Sequence, residues 1–359
     1  MASGKILIRT SDRASFRRCR RQWGFSSNLK RGLEPALKPG PFWLGSGVHY
    51  ALEDFHSTKL FKTPQEAFLG YCKAYRKTRL SRPDDIKELT ELGIGMMEHY
   101  NEWLKNRPRL KTYVHKGEHQ VEVKFHIPLP IPKKFAHLYV EGQVVYQGEF
   151  DRVIIDEDGQ LWLVEYKTAR QFEHGHFQND PQVSAYCWAG NTLYSKPIAG
   201  VIYQQHRKTI PNEPKVLASG KLSTDKSQLT THFKYRHALI NLYGSIKKAP
   251  SGHVETLNSL AILESEDHDS FIRRDWIKRN DHFSEAEGVK ILLELEDMLD
   301  PDLPLYPNPT RDCSWCNFNS PCVSMDDGSD WEADLLDTTQ PRTDEDDKWR
   351  RHLRPLTAQ

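Results

Sequence analysis

Two apolar runs joined by a turn that ends in glycine constrain this chain more than any other feature. Gly148-Glu149-Phe150-Asp151-Arg152-Val153-Ile154-Ile155 leads into Asp156-Glu157-Asp158-Gly159 and then Gln160-Leu161-Trp162-Leu163-Val164-Glu165-Tyr166-Lys167-Thr168. Both runs are rich in β-branched and aromatic residues and read as strands of a hairpin. A three-residue loop, Glu157 to Gly159, puts Gly159 at the left-handed position of a bulged turn. That register pairs Asp156 with Gln160 and, counting back, Asp151 with Glu165. The two carboxylates then face each other about 5 Å apart, and a one-residue slip sends them to opposite faces. Glu165 and Lys167 share a face, and Tyr166 takes the other.

Like charges at that separation need compensation, which a divalent cation supplies. A small set of oxygen ligands suits Mg²⁺ or Mn²⁺. Such an ion polarises a phosphoryl oxygen and lowers the pKa of a bound water. Lys167 is placed to orient that water or to neutralise charge developing in a transition state. The alternative is a surface hairpin in which Asp151 and Lys167 pair in solvent. Upstream, His49 opens the helical stretch Leu44 to His56, with Glu53 four residues on along the same face. An imidazole is a good Mn²⁺ ligand, although a lone helical histidine is also a common structural residue. Downstream, Gln182 and Tyr186 are four apart in Asp180-Pro181-Gln182-Val183-Ser184-Ala185-Tyr186. Their polar tips reach a phosphate or a base, or else cap and pack.

Helical and strand periods alternate along the chain. Helices are expected over Leu44–His56, from Pro64 behind a Thr63-Pro64-Gln65-Glu66 capping box to Leu80, and over Asp84–Lys105. Strands are expected over Gln120–Ile127, Leu138–Ile155, Gln160–Thr168 and Ile198–Gln205. Further helices are expected over Asp180–Tyr194, Thr224–Lys247 and Ser284–Leu299. No run of about 18 apolar residues exists, so no membrane span is expected. The start, MASGKILIRT, has no charged region followed by an apolar stretch, so no signal peptide is read and a cytoplasmic location is expected.

The formal net charge of +1 conceals an uneven distribution. Asp326 to Asp347 holds ten acidic residues and one basic, whereas Arg13 to Arg21 holds five arginines and no acid. Without the acidic stretch the body is basic, which suits a polyanion such as nucleic acid; two ordinary solvated clusters account for the charges equally. From Ser324 the acidic, core-poor composition is expected to form a flexible tail, 324–359, beyond a folded unit of 1–323.

Cys313, Cys316 and Cys322 form a C-x2-C-x5-C pattern. In a reducing compartment three thiols this close signal a metal or cluster. Cys19 is the best fourth ligand. An iron–sulfur cluster, a zinc site with the same ligands and unliganded core cysteines are the three readings. A bond between Cys19 and Cys313 through a shared group ties both ends of the fold together. Cys72 and Cys187 lie in apolar helical patterns and read as packing residues.

Taken in order, Cys19 among arginines and aromatics, Gly47-Val48-His49, Gly148 to Asp151, Glu165-Tyr166-Lys167-Thr168, Gln182-x3-Tyr186 and C-x2-C-x5-C resemble the PD-(D/E)XK nucleases of the RecB type. The match is to the branch carrying an iron–sulfur cluster, which includes the AddB nuclease domain and CRISPR-associated RecB-like exonucleases, with relatives common in bacteriophages. The resemblance spans about Arg9 to Val323. It implies an α/β fold: a mixed β-sheet flanked by helices, a helical insertion after the His motif and a subdomain bridging both chain ends through the cluster. It implies that His49, Asp151, Glu165 and the Tyr166 carbonyl bind Mg²⁺ or Mn²⁺, with Lys167 as catalytic lysine. By the same resemblance Gln182 and Tyr186 would position DNA, and Cys19, Cys313, Cys316 and Cys322 would hold a 4Fe–4S cluster, zinc being the alternative.

The function expected is a metal-dependent DNA exonuclease acting on single strands or ends in phage or bacterial recombination and repair. Arg13, Arg17, Arg18, Arg20 and Arg21 are expected to contact phosphates, and Trp23 and Phe25 either stack bases or pack in the core. No Walker A sequence is present, so the chain is not expected to be an NTP-driven motor by itself; a helicase or recombinase is a candidate partner. The rival from another class is a non-catalytic DNA-end-binding module that keeps the fold and a structural iron–sulfur or zinc site.

Overall fold

The computed structural model describes residues 5–37, 40–57, 60–74, 85–105, 107, 110–175, 177–194, 196–265 and 268–342. The elements begin with β1 (Ile6–Arg9), α1 (Thr10–Arg18), α2 (Arg20–Ser26), β2 (Leu33–Pro35), α3 (Gly40–His56), α4 (Pro64–Ala74) and α5 (Ile86–Lys105). Strands follow: β3 (Lys111–Thr112), β4 (Val114–His115), β5 (Glu118–His119), β6 (Val121–Pro128), β7 (Val144–Ile155) and β8 (Leu161–Ala169). Then come α6 (Pro181–Leu193), β9 (Ile198–Arg207), α7 (His232–Tyr243), α8 (Ser251–Ser265), β10 (Ile272–Lys278) and α9 (Asp281–Met298). The last are α10 (Asn319–Asp327), α11 (Trp331–Thr338) and β11 (Thr339–Pro341). The expected extension of α4 to Leu80 and the start of α5 at Asp84 lie outside the described residues.

The β7–β8 hairpin forms in the expected register: Arg152 pairs with Val164 and Ile155 with Leu161. Asp156 N–H donates to the Gln160 carbonyl at 3.0 Å. Gly159 takes φ +78°, the left-handed conformation that glycine adopts without a Cβ clash. The Asp156 carboxylate fastens the turn, accepting from Gln160 N–H at 2.8 Å and Trp162 Nε1 at 2.9 Å.

Around this hairpin a mixed sheet runs β1-β7-β8-β9-β10, with β3 and β6 pairing the other edge of β7. β8 and β9 are parallel, joined by the α6 crossover, and β10 returns antiparallel to β9. Each face of the sheet carries its own apolar core. Leu161 and Leu163 pack with α6 and α9 on one side. Trp162, Val164 and Tyr166 pack with α3, α4 and α5 on the other. This is a three-layer arrangement with the sheet between two helical layers. Among the described residues no helix is long and apolar enough to cross a membrane. Cys72 and Cys187 are buried, as their apolar surroundings predict.

Three expectations change. The strand expected from Leu138 begins at Val144. The single helix expected over Thr224–Lys247 is confined to His232–Tyr243. Turn chemistry competes ahead of it: Asp225 Oδ1 accepts from Ser227 N–H at 2.8 Å, and Gln228 Nε2 donates to the Ser223 and Asp225 carbonyls. Thr231 then caps the helix by accepting from Lys234 N–H at 3.2 Å. The flexible tail expected from Ser324 is corrected over Ser324–Arg342. There α11 packs Trp331, tilted, against Phe25 and buries Leu335, and β11 pairs antiparallel with β2. Arg342 fastens the end, its N–H donating to the Gly32 carbonyl at 2.7 Å and its guanidinium reaching Asp12 at 3.2 Å. Residues 343–359 lie outside the described residues.

Candidate active site

The site grows from a fork in the sheet. β1 pairs β7 as far as Gln147, and β8 takes over on that edge from Arg152. Between them lies Gly148–Asp151. Tyr146, Phe150 and Val153 all pack into the α6–α9 core, which strict alternation forbids for Phe150 and Val153. The alternation therefore slips at Asp151–Arg152. Opposite the slip, Glu122 of β6 takes a left-handed φ of 51° while Val121 and Val123 pair with Arg152 and Phe150. A left-handed non-glycine residue inside a strand is strained, by about 1–3 kcal/mol, and such strain concentrates at functional sites.

Three side chains meet at this slip. His49 Nδ1 lies 3.2 Å from Asp151 Oδ1 and 3.8 Å from Glu122 Oε1. Asp151 Oδ2 accepts from the Tyr166 backbone N–H at 2.7 Å, which turns the carboxylate along the strand edge. The ligand atoms of His49, Glu122 and Asp151 fall within 4.8 Å of one another. Glu122 was not singled out from the sequence. Its placement depends on β6 pairing with β7, and its positive φ leaves no trace in the string Gln120-Val121-Glu122-Val123.

Beside this trio, the Glu165 carboxylate forms an ion pair with Lys167 Nζ and accepts from Gln182 Nε2 at 2.9 Å. Asp180 caps α6 by accepting from Gln182 N–H at 2.7 Å, and Pro181 opens the helix, which aims Gln182 at Glu165. Tyr186, one turn on, packs edge-on against Phe125 and Phe150. His49 reaches the site because Gly47 lets α3 lie close to α4: a Cβ at Gly47 would stand 2.6 Å from the Phe68 ring.

Electrostatics at the fork follow from three buried carboxylates with few cations. Burial pushes Glu165 up to about 7, restrained by Lys167 and reinforced by Asp151. Burial opposes protonation of His49, yet Asp151 and Glu122 outweigh it and hold the imidazolium well above the ordinary histidine range. Burial likewise works against the Lys167 ammonium, and the Glu165 charge facing it drives its pKa up instead. Burial, then Glu165 and Asp151, keep the Tyr186 phenol neutral. One imidazole nitrogen and two carboxylates fit a hard divalent cation that tolerates nitrogen, such as Mg²⁺ or Mn²⁺.

Four of the five arginines expected at phosphates meet acids of this chain. Arg13 is 1% exposed, with Nη2 at 2.7 Å from Glu287 and Nε at 2.6 Å from Glu294, so the phosphate role is corrected for it. Arg17 joins Glu294, Arg20 lies 3.5 Å from Asp297, and Arg21 pairs with Asp326 at 2.7 Å. Arg18 lies over the Trp315 ring at 5.1 Å. Trp23 and Phe25 are buried and pack in cores.

Cys19 sits between α1 and α2, where its Sγ accepts from Gln22 N–H at 3.5 Å. Cys322 Sγ is 3.6 Å from Arg21 Nη1. The Cys316 thiol is raised, first by burial and then in part by Cys19 and Cys313 nearby. Among the described residues no three cysteine sulfurs come within 4.8 Å of one another.

No curated protein matches the chain. The sequence model of the PD-(D/E)XK nuclease superfamily matches residues 10–323, a span that holds the fork, the His49–Glu122–Asp151 trio and Lys167. Members of that superfamily are nucleases that use divalent metals, the chemistry this donor set suits. By that match over most of its length, the chain belongs to the PD-(D/E)XK nuclease superfamily.

Proposed function

We propose that this protein is a metal-dependent DNA exonuclease of the RecB-like branch, hydrolysing phosphodiesters of single strands or strand ends in phage or bacterial recombination and repair. The observation that carries the reading is the meeting of His49, Glu122 and Asp151 beside the Glu165–Lys167 pair at one fork. A divalent ion held by the trio, with Glu165 and the Tyr166 carbonyl as further donors, supplies polarisation of a phosphoryl oxygen and a water of lowered pKa. Lys167 stays an ammonium because Glu165 faces it, so it offers positive charge to the phosphoryl oxygens as negative charge develops. Gln182 holds Glu165 in orientation, and Tyr186 offers a neutral hydroxyl to the substrate.

In the same reading Cys19, Cys313, Cys316 and Cys322 hold a 4Fe–4S cluster. Cys19 and Cys313 both lie near enough to Cys316 to help raise its thiol. Brown protein with visible absorbance supports the cluster, and colourless protein with stoichiometric zinc refutes it. The test of the nuclease reading is digestion of end-labelled single-stranded DNA with Mn²⁺, wild type against Asp151→Ala. Equal rates refute the site.

A further inference from the structure

A cavity of about 810 Å³ lies away from the fork, farther along α3, on the α3–α5 side of the sheet. His56 borders it, seven residues beyond His49 on the same helix, a rise of about 10 Å. Its lining includes Lys62, Lys105, Arg107, Lys111, Arg152 and Arg274, and no Asp or Glu. In a chain with 50 basic and 49 acidic residues, six cations without an acid is not the average surface.

Arg152 and Arg274 form the floor and are 3% and 6% exposed. Arg152 donates from Nε to Thr112 Oγ1 at 2.9 Å and from Nη2 to the Leu110 carbonyl. Among the described residues no carboxylate lies within ion-pair distance of it. A buried guanidinium held only by neutral oxygens leaves its charge uncompensated, which is costly unless an anion meets it. Arg274 donates to Gln204 Oε1 at 2.6 Å and lies over the Trp103 ring at 4.5 Å, and Arg107 lies over the same ring at 4.0 Å. Lys105 pairs with Glu102 on the exposed rim, and Arg107 donates to the Glu264 carbonyl at 2.9 Å.

We propose that this cavity receives the terminal phosphate monoester of a DNA strand whose scissile bond lies at the fork. The inference rests on the nuclease reading for the identity of the strand. A terminal phosphate carries about −1.5 to −2 charge, against −1 for an internal diester, and so answers more of the six cations. A floor buried in the sheet is reached by an end group, whereas a diester in mid-strand would have to fold back on itself. The cavity thereby anchors an end at a set distance from Asp151.

The test is fluorescence anisotropy with the full chain in EDTA. Short single-stranded oligonucleotides ending in 5′-phosphate, 3′-phosphate or hydroxyl groups are the probes, with a deoxynucleoside monophosphate as competitor. Wild type is expected to bind one phosphorylated end about tenfold tighter than the hydroxyl-ended strand, the worth of one charge-assisted contact. The rim variant Lys62→Ala/Lys111→Ala, altered only at exposed side chains, is expected to lose most of that preference and keep its affinity for the hydroxyl-ended strand. No preference for either phosphate in wild type, or a preference the variant leaves intact, overturns the proposal. A mononucleotide that competes as well as the phosphorylated strand overturns the strand end as occupant. Cleavage of the hydroxyl-ended strand with Mn²⁺ is scored separately: its absence removes the nuclease reading, while the end preference in EDTA is judged on binding alone.

Discussion

Replacing Arg13 by Met separates a structural from a DNA-binding role for the N-terminal arginines. The Arg13 and Glu287 side chains are each 2% exposed, and their charges meet at 2.7 Å. Removing the guanidinium leaves a buried carboxylate, a change that costs about 3–5 kcal/mol. Arg17 Nη2 at 3.7 Å and Lys290 Nζ at 3.5 Å remain near Glu287 and soften the loss toward the lower end, about 3 kcal/mol. With a urea dependence of about 3 kcal/mol per molar, the unfolding midpoint falls by about 1 M. Arg13→Met/Glu287→Leu removes both charges and recovers most of this, a coupling of about 2 kcal/mol between the two positions. The salt dependence of DNA binding stays at its wild-type slope in Arg13→Met, whereas loss of a phosphate contact lowers it by about 0.7–0.9. A midpoint unchanged within about 0.2 M together with a reduced salt slope would show that Arg13 faces DNA and that the ion-pair argument fails.

Two further predictions concern the fork and the network beneath it. Glu122→Gly releases the backbone from its φ of 51°, so it melts above Glu122→Gln by about 1 kcal/mol in urea unfolding, while both variants lose Mn²⁺ affinity by more than tenfold; equal stability of the two would refute the strain. Burial, then Arg274 and His49, hold His206 down to about 3 against 6.5 in the unfolded chain, so the stability it confers is full above pH 6.5 and is lost as pH falls toward 3, at about 1.4 kcal/mol per pH unit. His206→Gln flattens the slope of unfolding free energy against pH across pH 4–6 by about one proton, and an unchanged slope refutes the assignment.

The hairpin was legible because its register is a local matter. One glycine at a turn and two apolar runs leave a single pairing, Arg152 with Val164 through Ile155 with Leu161, and the ladder stops one step short of the expected Asp151–Glu165 pair. Gln182 was legible for a similar reason, since Asp180 and Pro181 begin α6 beside it. Glu122 was not, because a glutamate in an alternating strand reads as its solvent face until the neighbouring strand is known. The arginine cluster misled through distance in sequence. Its acids, Glu287, Glu294 and Asp297, lie more than 260 residues away on α9, so Arg13, Arg17 and Arg20 looked unpaired in the sequence although each meets an acid there. In the acidic segment, composition hid a pattern: Trp331 and Leu335, four apart, make the apolar stripe of α11 amid acids, and they pack on Phe25 and Phe318.

Titration of Mn²⁺ into wild type and Asp151→Ala, with cleavage of end-labelled single-stranded DNA recorded on the same samples, tests the site most directly. Wild type is expected to take up the ion and cut, and Asp151→Ala to lose both at any Mn²⁺ concentration that saturates wild type. An Asp151→Ala protein that binds the ion and degrades DNA as wild type does would contradict the account.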